Sequence, residues 1–368
     1  MSFRIRSVAG PRSAPLLAAF ALGVPTAAHA QWDVWNLSPP TWNVSGAYSV
    51  RGGRAVGQVE DGGMIQAGLW TGLMGSSFVS LHPAGAFYSG AYSSSSLYQV
   101  GAATVGGVIR ASRWNGSAAS WLDLSPTGAT LSYAWGIDGD NPVGSVSMGD
   151  DSRASLWTAG PESWINLNPL GVRSSSAFGG GGGQQVGFVS IDSEWQAAVW
   201  TGSAGSFVNL HPVGITTSYL SNADGISQVG VASVGGDSHA GPWYGSAASF
   251  IDLHPAGFES SHAEDVLGAW QVGYFWDGAT AHASLWSGSA ESRIDLGLEL
   301  APWFSNSHAN SIWADADTLY ISGWAHNNFT DGTDAIVWTR PIPAPGTLVA
   351  LGVAVLGTGR WRARPSLA

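Results

Sequence analysis

The chain has 368 residues and a net charge of −11, with 25 acidic residues, 14 basic residues, 51 Gly, 20 Trp and no Cys. The absence of Cys excludes disulfides, thiolate metal sites and a cysteine nucleophile. All the basic residues are Arg, and the acidic balance argues against a nucleic-acid partner, because phosphate binding needs clustered Lys or Arg. A hydrophobic fraction of 45% is enough for a large core and argues against disorder.

The first 30 residues have the pattern of a secretory signal peptide. Three arginines precede an apolar run at residues 14–24, and Ala28 and Ala30 then occupy the small-residue positions of a cleavage site. The apolar run is too short to span a membrane. We therefore predict export, processing by signal peptidase and a mature chain that begins at Gln31. The alternative is an ordinary first helix.

A recurring Trp reveals an internal repeat between residues 31 and 340. Successive positions are 44, 43, 43, 43, 43 and 52 residues apart, which defines seven units. The recurring residues are Trp70, Trp114, Trp157, Trp200, Trp243, Trp286 and Trp338.

Each unit contains four short apolar segments in a fixed order, separated by Gly and Pro. A small-residue segment comes first, followed by a Gln-Val-Gly segment, a segment that ends at the recurring Trp, and an aromatic segment that ends in Asn/Asp-Leu. This pattern is typical of strands. Four strands in about 43 residues, repeated seven times, predict an all-β fold, a seven-bladed β-propeller, with the small-residue strand innermost.

The ends of the repeat region are complementary halves of one unit. The segment Trp35-Asn36-Leu37 matches an outer strand, and Ala335–Trp338 matches a third strand. We therefore predict that the N-terminal strand completes the last blade, so that no sheet edge is left open. An open β-solenoid is the alternative, although it would not need complementary ends.

The C-terminal region, residues 341–368, has three parts. The motif Pro343-Ala344-Pro345 precedes an apolar stretch at residues 348–357, and Arg360, Arg362 and Arg364 follow. The stretch is short for a stable span, which needs about 20 apolar residues. This region resembles the PEP-CTERM sorting domain of Gram-negative exopolysaccharide producers, with Ala344 where the family has Glu. The resemblance implies membrane engagement, cleavage by an exosortase, and release or transfer to the cell surface; a buried C-terminal helix is the alternative.

The repeats themselves resemble the HAF repeats of bacterial extracellular proteins. The motifs that carry the resemblance are His282-Ala283-Ser284-Leu285-Trp286, Ile251-Asp252-Leu253 and Gln271-Val272-Gly273. Most third strands lack the His, and Leu-His-Pro replaces the family's Leu-Gly. The resemblance implies an extracellular propeller-like repeat and no defined reaction.

Aromatic residues that break the repeat are the candidate binding residues. The pattern assigns Trp42 and Trp303 to loops that lead into an inner strand, and Trp276, like Trp195, to loops between the second and third strands. Both loop classes emerge on one face of a propeller. The last unit has longer loops of both classes, and His308, His326 and Asp331 lie nearby in sequence. Loops carry function in repeat folds. We therefore predict a shallow aromatic and acidic patch there that binds a glycan; the alternative is that these loops merely cover the closure seam.

Other residue clusters favour structural roles. His82, His211 and His254 occupy one turn position in three units and cannot jointly bind a metal. The segment Asp138–Asn141 has the acidic density of a calcium loop but lacks the length and distal Glu of an EF-hand, so ordinary turn chemistry is favoured. The five glycines 179–183 lack the Lys and the helix of a phosphate cradle and are interpreted as a flexible turn. We predict no catalytic residue, metal or other cofactor.

The functional prediction is an exported surface or matrix protein with a binding or structural role, for which extracellular polysaccharide is the candidate partner. The alternative is a polysaccharide lyase or glycoside hydrolase, which needs two suitably spaced carboxylates. Polar groups converging in a cavity among the inner strands would favour the enzyme, whereas an exposed Trp shelf would favour binding. Residues 31–339 carry seven arginines and 25 acidic residues, a net charge of −18, which disfavours acidic polysaccharides and favours neutral or cation-bridged ones.

Overall fold

The structure is a computed structural model that describes residues 32–39 and 42–342. This part of the chain consists of β-strands joined by short loops and short 3-10 helices, which confirms the prediction of an all-β fold. The predicted signal peptide and residues 343–368, including the sorting motif, lie outside the described residues. Within residues 32–39 and 42–342, no helix is long and apolar enough to cross a membrane.

The strands follow the order of the segments in the sequence repeat. In chain order they are β1 (Asp33–Asn36), β2 (Val44–Arg51), β3 (Arg54–Asp61), β4 (Met64–Trp70), β5 (Phe78–Ser80), β6 (Ala86–Ser94), β7 (Gln99–Val105), β8 (Val108–Trp114), β9 (Leu122–Asp123), β10 (Leu131–Asp138), β11 (Asn141–Met148), β12 (Asp151–Trp157), β13 (Trp164–Asn166), β14 (Ser174–Gly181), β15 (Gln184–Ile191), β16 (Glu194–Trp200), β17 (Val208–Asn209), β18 (Ser218–Ala223), β19 (Gln228–Val234), β20 (Asp237–Trp243), β21 (Ser260–Leu267), β22 (Trp270–Trp276), β23 (Ala281–Trp286), β24 (Ile294–Asp295), β25 (Phe304–Ala314), β26 (Thr318–Asn327) and β27 (Gly332–Pro341).

Short 3-10 helices lie between the third and outer strands of six units. In each one a Ser hydroxyl donates a hydrogen bond of 2.6 Å to the carbonyl three residues earlier, as Ser120 does to Ser117, and this bond tightens the loop. A seventh 3-10 helix follows the outer strand of unit 6. The helices are Gly75–Ser77, Ala118–Ser120, Pro161–Ser163, Ala204–Ser206, Ala247–Ser249, Ala290–Ser292 and Leu296–Glu299.

Most units form a separate antiparallel sheet. These sheets have the strand orders β6-β7-β8-β9, β10-β11-β12-β13, β14-β15-β16-β17, β18-β19-β20 and β21-β22-β23-β24. The sixth sheet joins the last unit to the first in the order β25-β26-β27-β2-β3-β4-β5, through a parallel contact between Val44 and Thr333. Strand β1 pairs antiparallel with β27, with Trp35 opposite Val337.

The fifth unit has no assigned outer strand, and a proline in its third strand explains this. Pro242 of β20 stands where the other units have a residue that can donate a backbone hydrogen bond. Two backbone bonds still join the outer segment to β20, from the Ile251 N–H to the Pro242 carbonyl oxygen at 3.0 Å and from the Leu253 N–H to the Ala240 carbonyl oxygen at 2.9 Å. The segment still lies beside β20, but its ladder of hydrogen bonds is too short for the segment to form a strand.

The recurring Trp residues form the core between neighbouring units. All seven are fully buried. Each packs against apolar residues of its own unit and of the preceding one, as Trp200 does against Val143, Leu156 and Leu167. The same arrangement joins the last unit to the first, where Trp70 packs with Leu37 and Val337.

A serine in each inner strand binds the backbone of the preceding unit. Its hydroxyl oxygen accepts a hydrogen bond of 2.8–3.0 Å from the N–H of an Ala in the third strand, as Ser132 does from Ala111. The last of these bonds runs from the Ala335 N–H to Ser45 at 2.9 Å. The seven serines are Ser45, Ser89, Ser132, Ser175, Ser218, Ser261 and Ser307.

The turn histidines hold these serines in place. His82 Nδ1 lies 2.7 Å from the Ser89 hydroxyl, and its Nε2 lies 3.0 Å from the Ala86 carbonyl oxygen. His211 and His254 make the same pair of contacts. The imidazole therefore links a turn to an inner strand.

Candidate functional site

Every inner strand contains a β-bulge at the same position of the repeat. In β10, for example, Ala134 pairs with Gly144 and Gly136 pairs with Val143, so that Trp135 is left without a partner. Bulges redirect side chains and are common beside functional sites. The seven unpaired residues, here called the bulge residues, are Tyr48, Tyr92, Trp135, Phe178, Ser221, Glu264 and Asn310.

The glycine of the Gln-Val-Gly motif makes room for the bulge. A Cβ atom on Gly144 would lie 1.9 Å from the Tyr133 carbonyl oxygen, far inside van der Waals contact. The corresponding glycine of every other unit meets a carbonyl at 1.8–2.1 Å. Only Gly fits this close approach, so the motif that identified the second strand also permits the bulge of the first.

All seven bulge residues line one cavity of about 370 Å³, here called the inner cavity. A second cavity of about 330 Å³ adjoins it, and the two share Ser49, Asn222 and Asp265 among their lining residues. The residues that follow the bulges are Ser, Gly, Asn or Asp. These small side chains suit the crowding of the inner strands, where a Cβ atom on Gly136 would lie 2.4 Å from the Phe178 carbonyl oxygen.

One side of the inner cavity is aromatic. The bulge residues of the first four units are Tyr, Tyr, Trp and Phe, and the ring of Trp135 stacks with Tyr92 at 5.2 Å and with Tyr133 at 4.2 Å between centroids. The hydroxyls of Tyr88 and Tyr92 lie 2.8 Å apart. Burial raises the pKa of Tyr48 and of Tyr92 above the ordinary tyrosine value, so both stay neutral.

The other side is polar and contains two adjacent carboxyl groups. Asp265 accepts hydrogen bonds from Asn222 Nδ2 at 2.7 Å, from the Ser311 hydroxyl at 2.8 Å and from the Ile312 and Val266 N–H groups. Burial raises the pKa of Asp265 to about 6, although these four hydrogen bonds oppose the rise. Asp265 thus connects three successive units.

Glu264 differs from its neighbour because no hydrogen bond to its carboxyl group is found among the described residues. Burial, and then the nearby charge of Asp265, raise the pKa of Glu264 to about 7. The side chain is half-buried, since it faces the cavity. An unpaired carboxyl group with a pKa near 7 in a cavity is a characteristic functional-site feature.

A row of stacked rings lies beside Glu264. The Tyr219 hydroxyl is 3.2 Å from His262 Nδ1. His262 stacks on Tyr274 at 4.7 Å, and Tyr274 lies 3.8 Å from the ring of His308. Burial lowers the pKa of both histidines to about 4, so they are neutral at pH 7.

The structure brings together part of the predicted loop patch. Trp303 is 44% exposed and lies 5.9 Å from the ring of Phe329. In the same loop region, His326 Nε2 lies 3.6 Å from an Asp331 carboxylate oxygen. These residues form a small exposed surface on the last unit.

The other predicted patch residues lie elsewhere. Trp42 packs edge-on against Phe78 at 4.8 Å, and Trp276 is the last residue of β22 and pairs with Ala281. His308 lies in the inner strand β25, where it stacks on Trp324 at 4.2 Å. The loop assignments of Trp276 and Trp195 were wrong, because strands β22 and β16 extend over these residues.

Two further predictions concern turns and metals. The glycine run is only partly a turn, because residues 179–181 belong to β14 and only Gly182 and Gly183, both with positive φ, reverse the chain. Asp138 binds the next unit, through the Gly183 N–H at 3.1 Å and Gln185 Nε2 at 2.9 Å. In the described part of the chain, no three His, Asp or Glu residues are grouped so that they could hold a metal ion.

The fold is that of known β-propellers. An oligogalacturonate lyase in complex with manganese matches over 85% of this chain and 94% of its own, with a TM-score of 0.53 and 12% identity. The propeller domain of the Trilobed protease from Pyrococcus furiosus matches over 81% and 93%, with a TM-score of 0.50 and 7% identity. At such identities the likeness shows the fold alone, a β-propeller.

A puromycin-hydrolyzing peptidase from Mycobacterium tuberculosis matches over 83% of this chain, with a TM-score of 0.51 and 13% identity. The chain spans only 55% of that peptidase. No family model and no curated protein matches the sequence.

Proposed function

We propose that this protein is an exported, closed seven-bladed propeller whose inner cavity binds a saccharide. The observation that carries the proposal is the division of the seven bulge residues into two groups. Four consecutive units contribute aromatic side chains, and the next three contribute Ser221, Glu264 and Asn310. A cavity with an apolar wall and a few convergent polar groups is the usual form of a small-molecule site.

Three features support the closed ring. The N-terminal strand pairs with the third strand of the last unit. The serine bond that joins consecutive units also joins the last to the first, between Ala335 and Ser45. Residues from all seven units line the inner cavity.

A sugar ring fits the chemistry of this cavity. Its C–H faces pack on aromatic side chains, and its hydroxyls bond to Ser, Asn and carboxyl groups. The volume of about 370 Å³ lies within the roughly 300–1,000 Å³ of ligand pockets. The loop patch around Trp303 is more exposed, and in this proposal it covers the closure seam.

The proposed location rests on patterns in the sequence. The signal-peptide pattern and the resemblance to PEP-CTERM proteins support export to the surface of a polysaccharide-producing cell. The resemblance to HAF repeats supports an extracellular role. The producer's own exopolysaccharide is therefore the ligand that we propose first, in a neutral or cationic rather than an acidic form because of the acidic repeats.

The second candidate function is an enzyme, and Glu264 is the observation that favours it. A group with a pKa near 7 suits general acid or base catalysis, and Asp265 is adjacent in the chain. A lyase or hydrolase that uses this pair would cleave saccharides in the inner cavity.

A glycan array with the region 31–340 tests the binding proposal. We expect binding to neutral or amine-bearing saccharides, loss of binding in Phe178→Ala, and retention in Phe87→Ala, a matched control whose ring is exposed outside the inner cavity. Equal binding by both variants would refute the proposed site. Release of new reducing ends from bound saccharides, abolished in Glu264→Gln, would instead establish the enzyme.

A further inference from the structure

The inner cavity is lined by acidic groups and by no basic residue. Among its lining residues, Glu264 and Asp265 are carboxylic acids, and no Arg or His takes part in the lining. Arg51 lines the adjoining second cavity and not the inner cavity. A ligand in the inner cavity therefore meets negative or neutral groups only.

The two carboxyl groups differ in the number of hydrogen bonds that they accept from the protein. Asp265 accepts four hydrogen bonds from protein donors. No hydrogen bond to Glu264 is found within residues 32–39 and 42–342. An ionised carboxyl group in a partly dehydrated cavity is costly unless a hydrogen-bond donor or a cation accompanies it. Glu264 is therefore the carboxyl group to which a ligand can supply that partner.

The surrounding titratable groups supply no positive charge. His262 and His308 are the nearest histidines on the inner strands, and burial lowers the pKa of each to about 4. The pKa values of Tyr219, Tyr274 and the cavity tyrosines are raised by burial, so all are neutral at pH 7. When Glu264 is ionised, none of these groups supplies its counter-charge.

The remaining wall is suited to a cation. Four aromatic bulge residues line the same cavity, and aromatic rings attract ammonium groups more strongly than they attract neutral groups. The low polarity of such walls also strengthens the attraction between an ammonium group and a carboxylate. Both effects favour a ligand that carries a protonated amine.

We propose that the inner cavity prefers an amine-bearing saccharide, an amino sugar with a free amino group, whose ammonium group pairs with Glu264. This inference rests on the proposed saccharide-binding function and specifies its ligand. An acetylated amine has no charge and would lose the ion pair, and a uronic acid would be repelled by Glu264 and Asp265.

Isothermal titration calorimetry with three trisaccharide probes tests the preference on the purified protein at pH 7. The probes are a glucosamine trimer, its fully N-acetylated form and a galacturonic acid trimer. We expect the glucosamine trimer to bind at least about tenfold more tightly than the acetylated one, and the acid to show no binding. In Glu264→Gln this difference should vanish, while Glu259→Gln, an exposed acid of the same unit, should retain it.

The binding heat provides a second measure. Because Glu264 is only partly ionised at pH 7, pairing with an ammonium group should release a proton from it. The apparent enthalpy of the glucosamine trimer in phosphate and in Tris buffer gives the net number of protons released. Because any protonation of the sugar amine is common to both proteins, the wild type should release more protons on binding than Glu264→Gln.

The outcomes separate this inference from the proposed function. Equal or tighter binding of the acetylated trimer would overturn the amine preference and leave saccharide binding intact. A preference that persists in Glu264→Gln would overturn the role of Glu264. Binding of no array glycan and of neither glucosamine-based trimer would contradict both proposals.

Discussion

Two positions of the inner strand, three residues apart, differ sharply across the seven units. The first is Ser in every unit, and it accepts a hydrogen bond from the neighbouring unit, as Ser132 does. The second is the bulge residue, which is Tyr, Tyr, Trp, Phe, Ser, Glu or Asn. The serine joins the units, whereas the bulge residue faces a cavity and is free of that constraint. The difference indicates that the serine belongs to the repeated scaffold, whereas the bulge residues vary the chemistry of the inner cavity from unit to unit.

The largest effect on stability is expected from the core tryptophan of a unit. Trp157 is fully buried between units, so Trp157→Ala should reduce the free energy of unfolding by about 3–5 kcal/mol. The matched change Trp135→Ala, at a half-buried bulge position in the same unit, should cost less than half as much. Urea unfolding followed by Trp fluorescence measures both changes. Equal losses of unfolding free energy would show that the bulge residue contributes as much to the scaffold as the core Trp does.

The repeated serine should have the next largest effect. Ser132→Ala removes the acceptor of the Ala111 N–H and a partner of the Ser125 hydroxyl. An unpaired buried donor costs about 1–3 kcal/mol, so we expect a loss of about 2 kcal/mol in urea unfolding. Ser96→Ala, at an exposed position, is the control and should change stability by less than about 0.5 kcal/mol. A Ser132→Ala protein as stable as the control would show that the bond does not join the units.

The repeat could be predicted from the sequence because its strongest signals are local. The recurring Trp and the Gln-Val-Gly motif mark strands directly, and the small residues of the first strand indicated the crowding that the structure shows. The all-β fold and its propeller character follow from these signals. These signals indicate the strands without any knowledge of the contacts between units.

The site could not be predicted in the same way. The sequence does not single out Glu264, because a bulge is a shift in pairing register that depends on the partner strand and not on the type of the bulged residue. The sequence pattern instead favours aromatic residues in apparent loops, such as Trp276, which lies in a strand. A signal was present, since the residue three positions after each inner-strand Ser changes from unit to unit while the Ser does not.

A smaller, pH-dependent effect is expected at Glu264. The folded protein holds the proton up to a pKa of about 7, whereas the reference pKa is 4.5. Below pH 4.5 the carboxyl group is protonated in both the folded and the unfolded chain, and the fold keeps its full stability. As the pH rises through 7, this stability is lost, because the carboxyl group must ionise inside the cavity. Glu264→Gln should be more stable than the wild type by about 1–2 kcal/mol at pH 8 and nearly equal to it at pH 4.5.

Thermal unfolding across this pH range measures the effect. Glu259→Gln, at an exposed position, should follow the wild-type pH profile. A Glu264→Gln protein with an unchanged pH profile would show that the carboxyl group is not held in a partly dehydrated cavity.

We propose the inner cavity, and not the loop patch, as the binding site. Calorimetric titration of the best array saccharide into wild type, Trp135→Ala and Trp303→Ala tests it most directly. We expect at least about tenfold weaker binding, or roughly 1.4 kcal/mol, in Trp135→Ala and unchanged affinity in Trp303→Ala. The reverse result, with binding lost in Trp303→Ala and retained in Trp135→Ala, would contradict it and return the site to the loops of the last unit.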